Sequence, residues 1–231
     1  SAVAAVAPAA AAEPKEIVAN AVEGVGTSDG GTFVFVRGSD GLWRTDGMGR
    51  PPTQLVTGEG LAVEPVMTPD DRHVIFLSSR GGAMTPWIVP LGGGPPTEIV
   101  RVASYSVDVS PDGRQLLLGS TSDLGAIIAV VCDLPACTNR RDLLFPANVA
   151  RNAGQFRFTP DGLGVAYPVG RGTNLWSLPL DGGPPSQITH FPDDPAGSAI
   201  ARFGWSRDGK RLALTRTTVA HDIVLFHGLA K

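Results

Sequence analysis

The sequence predicts an all-β chain folded as a β-propeller of about five four-stranded blades, and three observations support that fold class. A four-residue turn signal recurs as "TSDG", "TPDD", "SPDG", "TPDG" and "SRDG", beginning at Thr27, Thr68, Ser110, Thr159 and Ser206. The intervals of 41, 42, 49 and 47 residues match the size of one propeller blade. The chain also contains 29 glycines and 20 prolines, as expected of many short strands joined by turns.

Each turn signal, which we call a corner, is predicted to join the first two strands of a blade. Ser or Thr at its first position bonds the turn backbone, Pro fixes φ at the second, and Gly supplies the positive φ of a tight hairpin. A short β-type run follows every corner, as in "TFVFV", "HVIFL" and "RLALT". Alternating runs such as "QFRF" precede most of the corners.

A third and a fourth run complete the predicted blade. The third run carries a large side chain at matching places, which are Trp43, Trp87, Trp176 and, in the last unit, Val224. A turn such as "GGGPP" or "DGGPP" then leads to the fourth run, as in "TEIV". Because proline has no N–H to give to a neighbouring strand, we expect the Pro-Pro pairs to mark the start of an outer edge strand.

The third unit lacks both the tryptophan and the glycine-proline turn. The segment "CDLPAC", Cys132 to Cys137, takes the place of that turn, and its spacing suits a structural hairpin disulfide. The alternative is two free thiols. A disulfide would replace the missing turn chemistry and would indicate an extracytoplasmic location, periplasmic or secreted.

The chain has the length of one all-β domain, which we place at residues 15–231. Residues 1–14, rich in alanine, are predicted to be a linker or a processed leader. The fifth unit reaches a third strand near Asp222–Phe226, and we expect Lys15–Ala19 to pair as its outer strand and close the ring. The alternatives are a fragment of a larger six- or seven-bladed ring and two copies that complete each other.

Three stretches carry a family resemblance: "SPDGRQLLLGS", "TPDGLGVAYPVGRGTNLWSLPLDGGPPSQITHF" and "FGWSRDGKRLALTRTTVAHDIVLF". They resemble the WD40-like (PD40) repeats of the TolB-like propeller family over residues 20–227. The last unit resembles the C-terminal propeller of multidomain bacterial sensor or regulatory proteins. The resemblance implies a propeller and specifies no activity, because the repeated residues are structural.

Charge and hydropathy argue against two kinds of partner. A net charge of −3 without any Lys/Arg run disfavours nucleic acid. The longest apolar run, Ala126–Cys132, is far shorter than the roughly 20 residues of a membrane-spanning helix, so no membrane insertion is predicted.

No catalytic constellation is recognisable in the sequence. The segment "GWSRD" lacks the second glycine of a nucleophile elbow, and the histidines do not occur at metal-ligand spacing. We therefore predict no catalytic residue, no metal and no cofactor.

Four arginines are the candidate ligand-binding residues. Arg80, Arg171 and Arg216 follow the second strand of their units, and Arg151 lies in an enlarged loop. They are predicted to form a basic mouth for an anionic peptide or sugar, and the alternative is that each pairs with an aspartate of its own or a neighbouring blade. 

Asp108 and Arg157 hold the same place in adjacent units, two residues before the corner. They are predicted to form an inter-blade ion pair near the channel, more a register device than a source of stability.

These observations predict a non-catalytic binding or sensory module that recognises a protein, peptide or small ligand at the funnel of the propeller. A protein or peptide partner is expected, with the chain a monomer or a blade-completing dimer. The alternatives are an enzyme, such as a lyase or glycosidase, with dispersed funnel residues, and a structural propeller within a larger multidomain protein.

Overall fold

The structure is a computed structural model that describes Val18 and residues 20–38, 41–46, 50–58, 60–145, 155–169, 173–192 and 198–218. All the regular secondary structure in these ranges is β-strand, and the strands form small antiparallel sheets that follow one another along the chain. No helix in the described part of the chain has the length and apolar character needed to cross a membrane. The predicted all-β class and propeller arrangement are confirmed.

Four sheets are complete blades of four strands. Blade 1 contains β1 (Glu23–Gly26), β2 (Phe33–Val36), β3 (Leu42–Thr45) and β4 (Thr53–Gln54). Blade 2 contains β5 (Ala62–Met67), β6 (His73–Gly81), β7 (Ala83–Pro90) and β8 (Thr97–Glu98). Blade 3 contains β9 (Ser106–Val109), β10 (Gln115–Thr121), β11 (Ile127–Asp133) and β12 (Thr138–Leu144). Blade 4 contains β13 (Arg157–Phe158), β14 (Gly164–Val169), β15 (Asn174–Pro179) and β16 (Ser186–Gln187).

Blade 5 is described through its first two strands, β17 (Ala199–Trp205) and β18 (Leu212–Thr217). The predicted third strand at Asp222–Phe226 lies outside the described residues. The predicted closing segment Lys15–Ala19 falls on residues of which only Val18 is described. Closure of the ring by that segment therefore stays a prediction.

The corners hold all five sheets in one register. The residue before each corner pairs with the residue seven positions later, as Gly26 does with Phe33 and Val109 with Leu116. In every corner the hydroxyl of the first residue donates to the aspartate carboxylate two residues on at 2.6 Å. This bond, helped by a backbone N–H, holds the pKa of each corner aspartate below its usual value. The repeated Ser/Thr and Asp are thus explained by turn structure.

Successive corners also touch. The proline of one corner lies against the glycine of the next in three pairs, which are Pro69 with Gly113, Pro111 with Gly162, and Pro160 with Gly209. Between blades 1 and 2 the contact is polar instead, because Ser28 donates through its hydroxyl and its backbone N–H to Asp71. Arg207 of blade 5 also bonds Asp71, at 3.3 Å from each carboxylate oxygen.

Four buried apolar clusters lie between successive blades, from blade 1 to blade 5. Representative members are Val34 and Phe76, Ile75 and Leu118, Leu117 and Phe156, and Leu175 and Phe203. Each second strand from β2 to β14 is buried over most of its length, since both faces of its sheet are covered. This packing sets the innermost strands side by side around a central channel.

The junction of blade 5 with blade 1, which we call the seam, is different. β18 is half-buried to exposed along its whole length. No buried apolar cluster among the described residues joins blade 5 to blade 1. A cavity of about 350 Å³ opens there, with Gly24, Gly204 and Thr215 in its walls.

The outer edges confirm the predicted third and fourth strands. Trp43, Trp87 and Trp176 lie in third strands, and Pro-Pro pairs precede the two-residue outer strands β4, β8 and β16. Blade 3 is the exception, because β12 has seven residues and follows a turn that is closed by a disulfide between Cys132 and Cys137.

Candidate functional site

The innermost strands bring one polar side chain from each blade to the central channel. The residue four positions before each corner is polar in all five blades, and we call this set the channel ring: Glu23, Glu64, Ser106, Gln155 and Arg202. Strand register puts Glu23, Ser106 and Arg202 at one level of the propeller, and hydrogen bonds bring Glu64 and Gln155 to the same group. A second level, two residues nearer the corner, contains Asp108 and Arg157.

Glu64 is the centre of the channel ring. Its side chain is only 9% exposed, and its Oε1 accepts a hydrogen bond from Arg202 Nη1 at 2.6 Å. Its Oε2 accepts from Gln155 Nε2 at 3.1 Å and lies 3.7 Å from Arg157 Nη2. One carboxylate therefore connects blades 2, 4 and 5 across the channel.

Irregular strand geometry places Glu64 and Arg202. The pairing of β5 with β6 shifts between Val63 and Val66, and Glu64 has a φ of 54°, which is uncommon for a residue with a side chain. The pairing of β17 with β18 shifts between Ile200 and Arg202. A β-bulge redirects a side chain, and these two bulges lie next to the residues that meet in the channel.

Arg202 and Glu23 tie blade 5 to blade 1 across the seam. Arg202 Nη2 donates to Glu23 Oε1, and Glu23 Oε2 accepts the backbone N–H of Glu64 at 2.7 Å. The Arg202 side chain is 47% exposed and is the accessible member of the group. Burial opposes its charge, but the bonds to Glu64 and Glu23 outweigh burial and raise the pKa of its guanidinium.

The polar side chains also satisfy the open inner edges of the innermost strands. Three backbone N–H groups donate to the preceding blade: Phe156 to Ser106 Oγ at 2.9 Å, Phe158 to Asp108 Oδ2 at 2.8 Å, and Phe203 to Gln155 Oε1 at 3.2 Å. An innermost strand has no neighbour on its channel side, so these groups would otherwise have no protein acceptor. Each bond fixes the position of one blade on the next.

The ion pair between blades 3 and 4 lies at the second level. Arg157 Nη1 is 3.7 Å from Asp108 Oδ1 and donates to the Val107 carbonyl at 2.6 Å. Burial raises the pKa of the Asp108 carboxyl, while the charge of Arg157 and the N–H of Phe158 oppose that rise. The inter-blade position predicted for Asp108 and Arg157 is the one observed.

The mouth is the end of the channel at which the innermost strands begin, opposite the corners. Arg216 pairs with Ile200 near the start of β17. Arg80 follows Ser78, whose partner is Ala62 at the start of β5. Strand register therefore puts Arg80 and Arg216 at the same end of the propeller. Arg151 and Arg171 lie outside the described residues.

Aromatic rings support the described mouth arginines. The guanidinium carbon of Arg80 lies 5.8 Å from the ring centre of Phe76 and 5.1 Å from that of Trp87. The guanidinium carbon of Arg216 lies 4.7 Å from the ring centre of Phe191. A guanidinium over an aromatic ring is attracted by the ring, which restricts the movement of the side chain.

The described hydrogen bonds of Arg80 are with uncharged polar atoms. Its Nε donates to Ser78 Oγ at 3.2 Å, and its Nη2 is 3.5 Å from the Thr57 carbonyl. No carboxylate in the described ranges lies within ion-pair distance of it. Burial lowers the pKa of its guanidinium, which stays protonated at neutral pH. Within the described ranges, the pairing with an aspartate considered from the sequence is not seen for Arg80.

Sequence analysis missed a third mouth arginine. Arg37 of blade 1 lies 4.9 Å from the ring centre of Trp43 and 5.5 Å from that of Phe35. The signal was an aromatic residue in the second strand, opposite the tryptophan of the third and followed by an arginine. Arg171 follows Tyr167 by the four residues that also separate Arg80 from Phe76.

The channel ring was missed as well, although the corner register contained it. Asp108 and Arg157 were found by comparing the residues two positions before each corner. The same comparison four positions before each corner gives Glu64 and Arg202. Within the described ranges, no group of three or more His, Cys, Asp or Glu side chains is placed to hold a metal ion.

Comparisons with known proteins identify the fold. No protein-family model and no curated protein sequence matches the chain. TolB from Acinetobacter baumannii is similar, with a TM-score of 0.60, 20% identity, and coverage of 79% of this chain and 42% of that one. A putative TolB from Agrobacterium tumefaciens has a TM-score of 0.62, 17% identity, and coverage of 84% and 80%.

A third similar structure is hydrazine synthase from Kuenenia stuttgartiensis, with a TM-score of 0.61, 15% identity, and coverage of 90% of this chain and 58% of that one. At these identities the similarity concerns the fold alone. The chain spans less than half the length of the Acinetobacter protein. It has the fold of a TolB-like β-propeller.

Proposed function

We propose that the chain is a non-catalytic binding module that receives an acidic segment of a protein or peptide at the mouth of the propeller. The observation that carries this proposal is the support of three mouth arginines, Arg37, Arg80 and Arg216, by aromatic rings. An arginine held against an aromatic ring loses little side-chain freedom when it meets a carboxylate.

The channel ring supplies a second element of recognition. Arg202 is about half-exposed and borders the seam cavity of about 350 Å³, within the size range of small-ligand sites. The wall residues Gly24, Gly204 and Ala213 are small and leave room for a side chain of the partner. A loop or chain end that enters the mouth would therefore find both a cavity and an exposed guanidinium.

An enzyme with dispersed funnel residues is the alternative. Hydrolysis of a glycoside requires two carboxyl groups that can reach the substrate. Here the carboxylates of Glu23, Glu64 and Asp108 each accept bonds from a backbone N–H, a guanidinium or an amide of another blade. That engagement favours a role in holding the ring over a role in catalysis.

We also propose that the chain works outside the cytoplasm. The disulfide between Cys132 and Cys137 supports this, since such bonds persist in oxidising compartments. The proposal includes one propeller domain over residues 15–231 with residues 1–14 as a linker or processed leader, and the net charge of −3 argues against nucleic acid as partner.

Site-specific photo-crosslinking tests the location of the partner. A photoreactive phenylalanine replaces Thr215 in the seam cavity, and a matched variant carries it at exposed Gln187 on an outer strand. After exposure to the native envelope fraction, we expect an adduct of defined mass from position 215 and none from position 187.

Charge removal then tests the mouth. In the Thr215 crosslinking variant, Arg80→Gln and Arg216→Gln are each expected to lower adduct yield about tenfold, the loss of one charge-assisted hydrogen bond. Lys210→Gln, an exposed cation at a corner, is the control and is expected to change nothing. Equal adducts from both crosslinker positions, or yields indifferent to both arginines, would contradict the proposal.

A further inference from the structure

Blade 3 presents an outer edge unlike those of the other complete blades. β4, β8 and β16 contain two residues each and follow Pro-Pro pairs, whereas β12 contains seven residues and has no proline. Short edge strands and prolines are two of the devices by which sheets avoid pairing with other chains. β12 lacks both devices.

The edge is also open along its length. Every residue of β12 except Leu143 is exposed, and Leu144 is 71% exposed. β12 pairs with β11 on one side, and no other described strand pairs with it. As far as the chain is described, its outer N–H and C=O groups are therefore available to an added strand.

The charges on β12 fit a second copy of the same strand. Arg140 and Asp142 lie on one face of the sheet, because they are two residues apart, and their side chains bond at 2.9 and 3.0 Å. In an antiparallel pair of two β12 strands centred on Arg141, the Arg140 of each chain lies opposite the Asp142 of the other. Two cross-strand ion pairs then form by symmetry.

We propose that two copies of the chain associate by pairing β12 with β12 around a two-fold axis at Arg141. The two four-stranded blades then form one continuous sheet. On the opposite face the two Arg141 side chains meet, and each has the carboxylate of its own Asp133 near enough to exert an electrostatic effect. The contact is a single pair of strands, so the dimer is weak and forms at high protein concentration. This surface is separate from the mouth.

Charge variants test the pairing directly. Arg140→Asp places two acidic residues opposite two acidic residues in its own dimer, and Asp142→Arg places basic opposite basic. We expect each variant alone to dimerise at least tenfold more weakly than the wild-type chain. A mixture of the two variants restores both ion pairs, so we expect a heterodimer at wild-type affinity. Sedimentation equilibrium and native mass spectrometry, which resolves the two masses, measure these outcomes.

Two controls separate this dimer from other associations. Arg114→Asp makes the same charge change at a highly exposed corner side chain of blade 3 and should leave dimerisation unchanged. Thermal unfolding of each variant verifies that the exposed substitutions leave the blade folded. A wild-type chain that stays monomeric to millimolar concentration, a dimer indifferent to Arg140 and Asp142, or a mixture that fails to form the heterodimer would overturn the proposal.

Discussion

Among the described residues, the junction between blades 3 and 4 and the seam between blades 5 and 1 are held by different kinds of contact. At the first, Phe156 is fully buried and stacks on Phe145 with ring centres 4.6 Å apart. At the seam, the described contacts are polar, led by the bonds of Arg202 to Glu23 and Glu64. Apolar burial dominates the stability of the first junction, whereas directed bonds set the geometry of the second.

The difference indicates how the last described blade is held against the first. A stack of sheets gains energy from each apolar interface, but nothing in that packing fixes the position of the last blade relative to the first. Hydrogen bonds and ion pairs depend strongly on distance and angle. The hydrogen bonds and ion pairs of the channel ring therefore fix the position of blade 5 relative to blade 1, which the apolar interfaces do not.

The largest expected effect tests the packed junction. Phe156→Ala removes a buried ring from the cluster between blades 3 and 4 and is expected to lower the free energy of unfolding by about 3–5 kcal/mol. Thr215→Ala, in an exposed position at the seam, is the matched change and is expected to stay within about 0.5 kcal/mol. Urea denaturation measures both, and similar losses for the two variants would remove the contrast between the junctions.

A smaller loss is expected when the polar link at the seam is broken. Arg202→Met keeps the length of the side chain but leaves the Glu64 carboxylate, which is largely buried, without its closest cation. We expect a loss of about 2 kcal/mol, less than for a fully buried pair because Arg202 is half-exposed.

A double variant sharpens that measurement. Arg202→Met with Glu64→Gln removes both charges and is expected to recover part of the loss, since no unpaired carboxylate remains. Arg50→Met breaks the exposed pair with Asp46 and serves as the control, with a change of less than about 0.5 kcal/mol expected. Purely additive effects of the Arg202 and Glu64 substitutions would show that the pair is not coupled.

The smallest effect is expected from the corners and depends on pH. The folded pKa of Asp112 lies below its unfolded value, because Ser110 and a backbone N–H bond its charged form. The contribution of Asp112 to the stability of the fold is complete above the ordinary aspartate pKa of about 3.9. It is lost as the pH falls through the lowered pKa of the folded state. We expect Asp112→Asn to reduce the fall in melting temperature on acidification below about pH 4.

Asp108 is the contrasting carboxyl, because burial raises its pKa. Its ionisation in the folded chain costs stability above the ordinary pKa, so this cost disappears as pH falls and opposes the effect of the corners. Asp108→Asn is therefore expected to make the melting temperature fall more steeply on acidification. Melting curves that respond to pH in the same way in both variants and in the wild-type chain would contradict this assignment of signs.

Sequence reasoning recovered the fold because the corners repeat. Ser or Thr, Asp and Gly do the same work in each turn, so the chemistry of the turn appears in the sequence at a regular interval. Once the units were aligned on their corners, the tryptophans occupied matching places in the third strands, and the two cysteines flanked the turn that follows the third strand of blade 3. These features depend on local geometry, which a short stretch of sequence encodes.

The channel ring was harder to predict, since its five members share a place and no chemical type. Glu64 and Arg202 differ in charge, and Ser106 is neutral and short. The bulges beside Glu64 and Arg202 depend on how neighbouring blades pack, so no residue near them in sequence predicts them. The position of Arg80 after the second strand was predictable from the corner register, and its contact with Trp87 follows from the pairing of Phe76 with Trp87.

The contacts between successive corners limit how a blade can be exchanged. A methyl group added at Gly209 would lie 2.6 Å from Cβ of Pro160, so the proline of one corner and the glycine of the next must be chosen together. Where Ser28 replaces the proline, Asp71 replaces the glycine of the following corner. The unit that can be duplicated or transplanted is therefore offset from the blade, running from the second residue of one corner to the fourth residue of the next. An engineer who cuts the chain at blade boundaries would separate both halves of a matched pair.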